Sequence, residues 1–293
     1  MSATRHHFVP QGYLRGFAID DDSSGSFVWV YDKIAGRAPR KKSVKSIAWA
    51  PAYYAQEHSD GSIDLDSIEN ALAKSIDNEI PKILNRIIPI VGRPATISED
   101  DKGTLAYFIA LSMTRVPSFR DGINALHEQI GKIELSLMQE QDLELKNLAS
   151  KYGLIFEVKP WVSLYPMFEM AKSIATSALS KNWQFYVPPP EVPLVTSDNP
   201  VVFSGAAAGL KQLGPAHPQS ELLIHLRKDL ALVCTPQSGY PDMQVFQLRP
   251  YDARKFNRGI VRSARQRVFA NHYSDTFDSF VKKYVGQEQR IIV

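Results

Sequence analysis

Leu222-Leu223-Ile224-His225-Leu226 and Leu230-Ala231-Leu232-Val233-Cys234-Thr235, separated only by Arg227-Lys228-Asp229, decide the class of fold. Two apolar runs of strand length around a charged three-residue turn read as an antiparallel hairpin. Working outward, residues 183–187, 194–196 and 201–203 are further short β-prone runs bounded by proline, glycine or charge, so the chain turns strand-rich after Asn182. Upstream the period changes. Ile68, Leu72, Ile76, Ile83 and Leu84 recur at helical spacing, with Pro81 expected to kink or interrupt that helix. Thr96-Ile97-Ser98-Glu99-Asp100 restarts the chain with a capping hydroxyl and first-turn acids, as a helix N-terminus requires.

Leu105, Phe108, Ile109 and Met113 then form a second core-facing stripe closed by Pro117. Leu126, Ile130, Ile133 and Leu137 trace a third amphipathic helix running as far as Tyr152, and residues 167–179 carry small residues suited to close packing. Short connections between successive helices predict antiparallel packing. In the first sixty residues, 27–31 alternate as a strand after a polar turn at 20–25, and 37–45 gather Arg37, Arg40, Lys41, Lys42 and Lys45 in what reads as a solvated loop. A last helix is predicted from about 251 to 271, with Phe256, Ile260, Ala264 and Val268 as its apolar stripe. Strands, helices, strands and a helix argue for an α+β fold rather than a doubly wound sheet. The expected architecture is a central antiparallel helical bundle (65–181) in a single domain, 1–293. Its strand-rich lobe is built from 1–64 and 182–250, with the helical end 251–293 packed on that lobe.

At 293 residues the chain can bury a large core, and a hydrophobic fraction of 44% with 22% charge is that of an ordinary globular protein. No apolar run is long enough for a membrane span, and Arg5, His6, His7, Gln11 and Arg15 interrupt the start, so neither a membrane nor an export signal is expected. One cysteine, Cys234, permits no intrachain disulfide and no thiolate zinc site, which places the protein in a reducing, cytoplasmic setting. A net charge of +3 marks no nucleic-acid binder unless the charge clusters.

His6-His7-Phe8-Val9-Pro10-Gln11, continuing through Tyr13-Leu14-Arg15 and Phe17, resembles the HHxVPxxYLxxF opening of a largely bacterial family, domain of unknown function family 4238. Thr196-Ser197-Asp198-Asn199-Pro200-Val201 resembles its TSDNPV segment, and Ile68-Glu69 its mid-chain helix start. Asp77 stands where a second glutamate is expected, and Gly12 and Gly16 replace bulkier residues. The resemblance implies a fold-wide relationship and carries no settled activity.

Three constellations point to chemistry. Adjacent His6 and His7 before an apolar pair and Pro10 also begin the His-x-x-Pro core of ββα-metal nucleases, in which one imidazole binds metal and the other activates water. The asparagine and further histidine of that core do not follow at the expected spacing. Asp198 and Asn199, at the end of a predicted strand, suit a metal ligand or an orienter of imidazole, or else a proline turn. Arg254, Arg258, Arg262 and Arg265 recur along one side of the last helix, either as a phosphate-holding comb or as a solvated face. P-loop, GxGxxG, GxSxG and HExxH motifs are absent.

Together these give an expected phosphoester hydrolase, in its sharpest form a metal-dependent nuclease. His6, His7, Asp198 and Asn199 would be its catalytic set, His6, His7 and Asp198 its ligands to a divalent metal, and Arg258, Arg262 and Arg265 its hold on a nucleic acid or another phosphate-bearing ligand. The competing expectation is a non-catalytic binding or regulatory protein in which the same motifs lock the N-terminal arm to the core. A weaker third is a metal-free enzyme with a His–Asp dyad. The first two readings share one spatial consequence: the arm returns to the strand-rich lobe, with His6 or His7 near residues 197–200.

Overall fold

A computed structural model describes residues 5–19, 25–205, 213–236 and 239–291. The arm opens with a short strand, β1 (Arg5–His7), and one helical turn, α1 (Gln11–Leu14). β2 (Phe27–Asp32) and β3 (Arg40–Ser43) pair antiparallel, and β4 (Trp49–Pro51) pairs with β1, setting His6 opposite Ala50 and His7 opposite Trp49. Two-residue strands β5 (Gln56–Glu57) and β6 (Ile63–Asp64) lead into α2 (Ser67–Leu72). That helix widens into a π-helical segment, Ala73–Asp77, before α3 (Ile80–Arg86). The interruption follows from Pro81, which has no N–H to close a helical bond onto the Asp77 carbonyl. Ile76, Ile83 and Leu84 are buried on either side of it, so the apolar face survives the irregularity.

Four helices follow: α4 (Glu99–Thr114), α5 (Pro117–Gln141), α6 (Leu143–Tyr152) and α7 (Leu164–Leu179). The Ser98 hydroxyl accepts the Asp101 N–H at 3.1 Å, satisfying one of the orphan donors at the start of α4. From Leu105 to Thr114 α4 is buried nearly all round, as expected of a central helix. Its principal partner is α7, whose Ala171, Ala175 and Ala178 are buried and let the two backbones approach. Then come β7 (Asn182–Val187), β8 (Thr196–Ser197), β9 (Val201–Ser204), β10 (Glu221–Arg227), β11 (Leu230–Thr235) and β12 (Val245–Gln247). α8 (Pro250–Ser263), β13 (Arg267–Ala270) and α9 (Asp275–Lys282) end the chain.

The hairpin expected around Arg227-Lys228-Asp229 is present, with Leu222 opposite Cys234 and Ile224 opposite Leu232. It sits inside a five-stranded sheet ordered β12-β7-β11-β10-β9, antiparallel except for the β12–β7 pair. A second sheet, β3-β2-β13-β8, joins strands from both ends of the chain, so the fold is α+β with N- and C-terminal parts sharing a sheet.

Three details differ from the sequence reading. The last long helix stops at Ser263, and residues 267–270 form β13 between β2 and β8 instead of a further turn. The Asp198 carboxylate takes the backbone N–H groups of Arg265, Gln266 and Arg267, which turns the chain out of the helix. Residues 40–43 of the basic run are a strand at the sheet edge, where positive side chains discourage pairing with another chain. Leu126, Ile130, Ile133 and Leu137 lie on α5 as expected but are exposed. At 25 residues α5 is about 37 Å long and outruns the core, burying only Phe119, Arg120 and Ile123 among its larger residues. Of the polar turn expected at 20–25, residues 20–24 lie outside the described residues.

Candidate functional site

The arm is held to the strand-rich lobe through Tyr13, which is fully buried. Its hydroxyl donates to the His225 carbonyl at 2.7 Å and receives the Thr196 hydroxyl at 2.8 Å, so the two specifically spelled blocks of sequence meet across 183 residues of chain. Phe8 shares a small cleft of about 130 Å³ with Asp198, Arg265 and Arg267. The arm therefore returns to the 196–200 segment. Its imidazoles do not: among the described residues no hydrogen bond or ion pair joins either ring to Asp198 or Asn199.

His6 is fully buried and stacks on the Tyr54 ring, with centroids 5.6 Å apart. Its Nδ1 accepts the Tyr54 N–H at 2.9 Å, which leaves the proton on Nε2, 4.0 Å from the exposed Asp66 carboxylate. Burial pushes its pKa below the ordinary imidazole value, with Asp66 pulling the other way. A neutral ring bonded to backbone ties β1 to the segment after β4.

His7 has a different setting. With Pro10, Gln11, Gly12 and Arg15 from the arm, and Glu69, Ala73, Asp77, Asn78 and Pro81 from α2, the π segment and α3, it lines a cleft of about 370 Å³. The Gln11 amide lies 3.4 Å from His7 Nδ1, and Nε2 has no hydrogen-bond partner among the described residues. Burial depresses the His7 pKa, and the Lys45 backbone and the Asp77 charge offset that only in part. Glu69, whose Oε1 accepts the His7 backbone N–H at 3.4 Å, is displaced in the opposite direction. Burial pushes its carboxyl up to about 7, and the His7 N–H and Arg115 pull it down only partly. Beneath the cleft Arg115 is fully buried, with Nη1 donating to both oxygens of Asp77 at 2.9 and 3.1 Å and with Nε and Nη2 unpartnered among the described residues.

This close approach of arm and helix depends on Gly12. A Cβ there would sit 2.7 Å from Pro81 Cγ and 3.2 Å from the Asp77 carbonyl, so any side chain would wedge the two walls apart.

Asp198 is buried and saturated with backbone bonds. Its Oδ1 accepts Arg265 N–H at 2.8 Å and its Oδ2 accepts Gln266 and Arg267 N–H at 2.9 and 3.0 Å. Burial nevertheless pushes its carboxyl up to about 6, against those three donors and the nearby Lys33 ammonium. Lys33 is itself buried and donates to the carbonyls of Arg262, Ala264 and Gln287. Asn199 Nδ2 donates to the Ser263 and Gln289 carbonyls at 3.0 and 2.9 Å. Both side chains thus gather the end of α8 and the C-terminal segment around one turn.

The four arginines expected along the last helix separate, and Arg265 lies beyond its end at Ser263. Arg254 and Arg258 line a cleft of about 420 Å³ with His272, Phe277 and Phe280; Arg262 lines another with Gln287 and Glu288; Arg265 pairs with Asp121 at 2.6 Å. Among the described residues no group of three or more His, Cys, Asp or Glu side chains is arranged to hold a metal ion, and no helix is long and apolar enough to cross a membrane.

The residues assembled at these two places are those of the arm motif, the helix start at Ile68-Glu69 and the 196–201 block, and the family model described as Protein of unknown function (DUF4238) matches residues 5–274. The chain belongs to this family. No curated protein and no solved structure matches it. In this DUF4238 member the arm cleft owes its charge to residues the sequence reading left aside. Glu69 and Asp77 enter the sequence analysis only through the family resemblance, and Arg115 belongs to no motif. The signal for Arg115 was available: a lone arginine between Leu111-Ser112-Met113-Thr114 and Val116, a charge inside an apolar run that has to find a buried partner.

Proposed function

We propose that the cleft between the arm and α2 is a hydrolytic acid–base site acting on a phosphoester. One observation carries the reading: two titratable groups of a single cleft are displaced in opposite senses, His7 below the ordinary imidazole value and Glu69 above the ordinary carboxylate value. Near neutral pH His7 is a free base while about half of the Glu69 carboxyls keep their proton at a pKa of about 7, the pairing that separates a general base from a general acid. His7 takes a proton from water as the water oxygen bonds to phosphorus. The bond from phosphorus to the leaving oxygen breaks, and Glu69 delivers its proton there. Arg15 is exposed at the cleft wall and has no ion-pair partner among the described residues, which supports an anionic substrate. Asp77 has its charge taken up by Arg115, so the cleft is not dominated by negative charge.

The lock reading is favoured at other positions of the same motifs. His6 gives its Nδ1 to the Tyr54 amide, and Asp198 gives both carboxylate oxygens to the amides of residues 265–267. The two readings therefore divide the motifs between them, with His7 and Glu69 assigned to chemistry and His6, Asp198 and Asn199 to holding the scaffold.

The test is turnover of a chromogenic phosphate diester and of single-stranded DNA and RNA by the purified chain, with and without added magnesium or manganese, beside His7→Ala and Glu69→Gln. Hydrolysis lost in both variants while their folding is kept is the expected result, and a metal requirement would give the nuclease form of the reading. Absence of turnover on all three substrates in every metal condition, or turnover unaffected by either substitution, overturns it.

A further inference from the structure

Leu126, Ile130, Ile133 and Leu137 are exposed by 40–62% on α5, spaced four, three and four residues apart. Spacing of this kind is the seam of a coiled coil, which keeps one narrow stripe facing a partner helix. Here it is also a palindrome: Leu, Ile, Ile, Leu reads the same in both directions, with its midpoint between Gly131 and Lys132. A second α5 laid antiparallel about a two-fold axis at that midpoint sets Leu126 against Leu137 and Ile130 against Ile133, in both halves of the contact. An isologous interface demands this self-complementarity.

Further apolar side chains of this part of the chain are exposed outside the stripe. Met138, Leu143, Leu148, Tyr152, Leu154 and Ile155 are each exposed by 41–83%. The four seam residues present on the order of 350 Å² of apolar surface, within the about 300–600 Å² of the largest patch on a typical monomer, a size that is often functional. The opposite side of α5 is already occupied, because Phe156 folds back over Gly131, where a Cβ would lie 2.2 Å from its ring. The free stripe is therefore the side left for a partner.

Charge decides between a second copy and a lipid surface. An interfacial helix needs a lysine- and arginine-rich polar face to meet anionic lipid. Residues 121–157 instead carry Asp121, Glu128, Glu134, Glu140, Asp142, Glu144 and Glu157 against Lys132, Lys146 and Lys151. An acidic face is repelled by such a membrane, while the seam itself holds no charge to hinder self-pairing. We infer that the protein is a homodimer joined by an antiparallel α5–α5 contact centred between Gly131 and Lys132. The cleft of His7 and Glu69 lies elsewhere on the chain and plays no part in it.

Sedimentation or light scattering of the full chain over a dilution series tests this. A dimer mass is expected, and Ile130→Glu combined with Ile133→Glu should give a monomer with an unchanged thermal transition, since both positions are exposed. Orientation is read by oxidative cross-linking. An Ile130→Cys protein mixed with an Ile133→Cys protein should link to each other, and neither should link efficiently to itself. A wild-type monomer at the highest concentration reached, a dimer that survives the double glutamate substitution, self-linking in preference to mixed linking, or a monomer captured by phosphatidylserine vesicles would each overturn the proposal. The wild-type mass decides even where a variant fails to fold.

Discussion

Glu69→Gln should make the protein more stable in alkaline solution and leave it nearly unchanged in acid. The carboxyl sits under the arm with burial as its largest perturbation, and its pKa rises from 4.5 to about 7. Between those values the folded chain keeps a proton that the unfolded chain has released. Stability therefore falls as pH rises through that window, and the whole penalty is present above it. At 1.36 kcal/mol per pKa unit the displacement corresponds to roughly 3 kcal/mol, which partial exposure of the side chain to water reduces to about 1–2 kcal/mol. Glutamine keeps the oxygen that accepts the His7 N–H and is never charged, so it escapes the penalty. Urea melts of both proteins at about pH 8 should show the variant more stable by about 1–2 kcal/mol, and at about pH 4 the gap should close to a few tenths. Equal stability at the higher pH, or a loss there, would mean that Arg115 and the His7 amide hold the carboxylate charged. Glu69 could then not serve as a proton donor near neutrality.

Two further substitutions address the scaffold. Asp198→Asn replaces an acceptor of three backbone N–H bonds with an amide whose NH₂ faces those donors, and should lower stability by about 2–3 kcal/mol in urea melts; a change below about 0.5 kcal/mol would refute its anchoring role. Asp77→Asn leaves the fully buried Arg115 without its counter-charge and should destabilise by about 3 kcal/mol, with Arg115→Met in the same chain recovering part of the loss. No recovery in that double variant would mean that Arg115 has another neutralising partner.

The elements legible in the sequence were those whose burial is one-sided and local. The β10–β11 hairpin shows itself because two apolar runs flank a charged turn, and the start of α4 because Ser98 and three acids satisfy or complement its orphan N–H groups. The apolar stripe of α5 gives the right element and the wrong environment. Period reports that a face is apolar and says nothing of what covers it. The end of α8 was hidden because nothing local stops it. The helix is terminated by Asp198, which approaches from 67 residues away, and no window of sequence contains both groups.

The same limit explains which parts of the site could be read. A motif displays residue types at fixed spacing, and both histidines of the arm belong to one motif, yet alternation along β1 sends successive side chains to opposite faces. One imidazole therefore enters the packing around Tyr54, and the other enters the cleft shared with Glu69. Adjacency in sequence, which suggested a joint role, is on a strand the condition for separate ones. The glycine between them and the helix sharpens the point. Gly12 looked like a departure from the motif, but its missing Cβ admits Pro81 and the Asp77 carbonyl, while the proline's missing N–H leaves that carbonyl without its helical bond. The arm and the interrupted helix can then close on each other, and that closure buries Glu69 enough to move its proton affinity. The displaced proton affinity of Glu69 thus rests on two residues that carry no functional group.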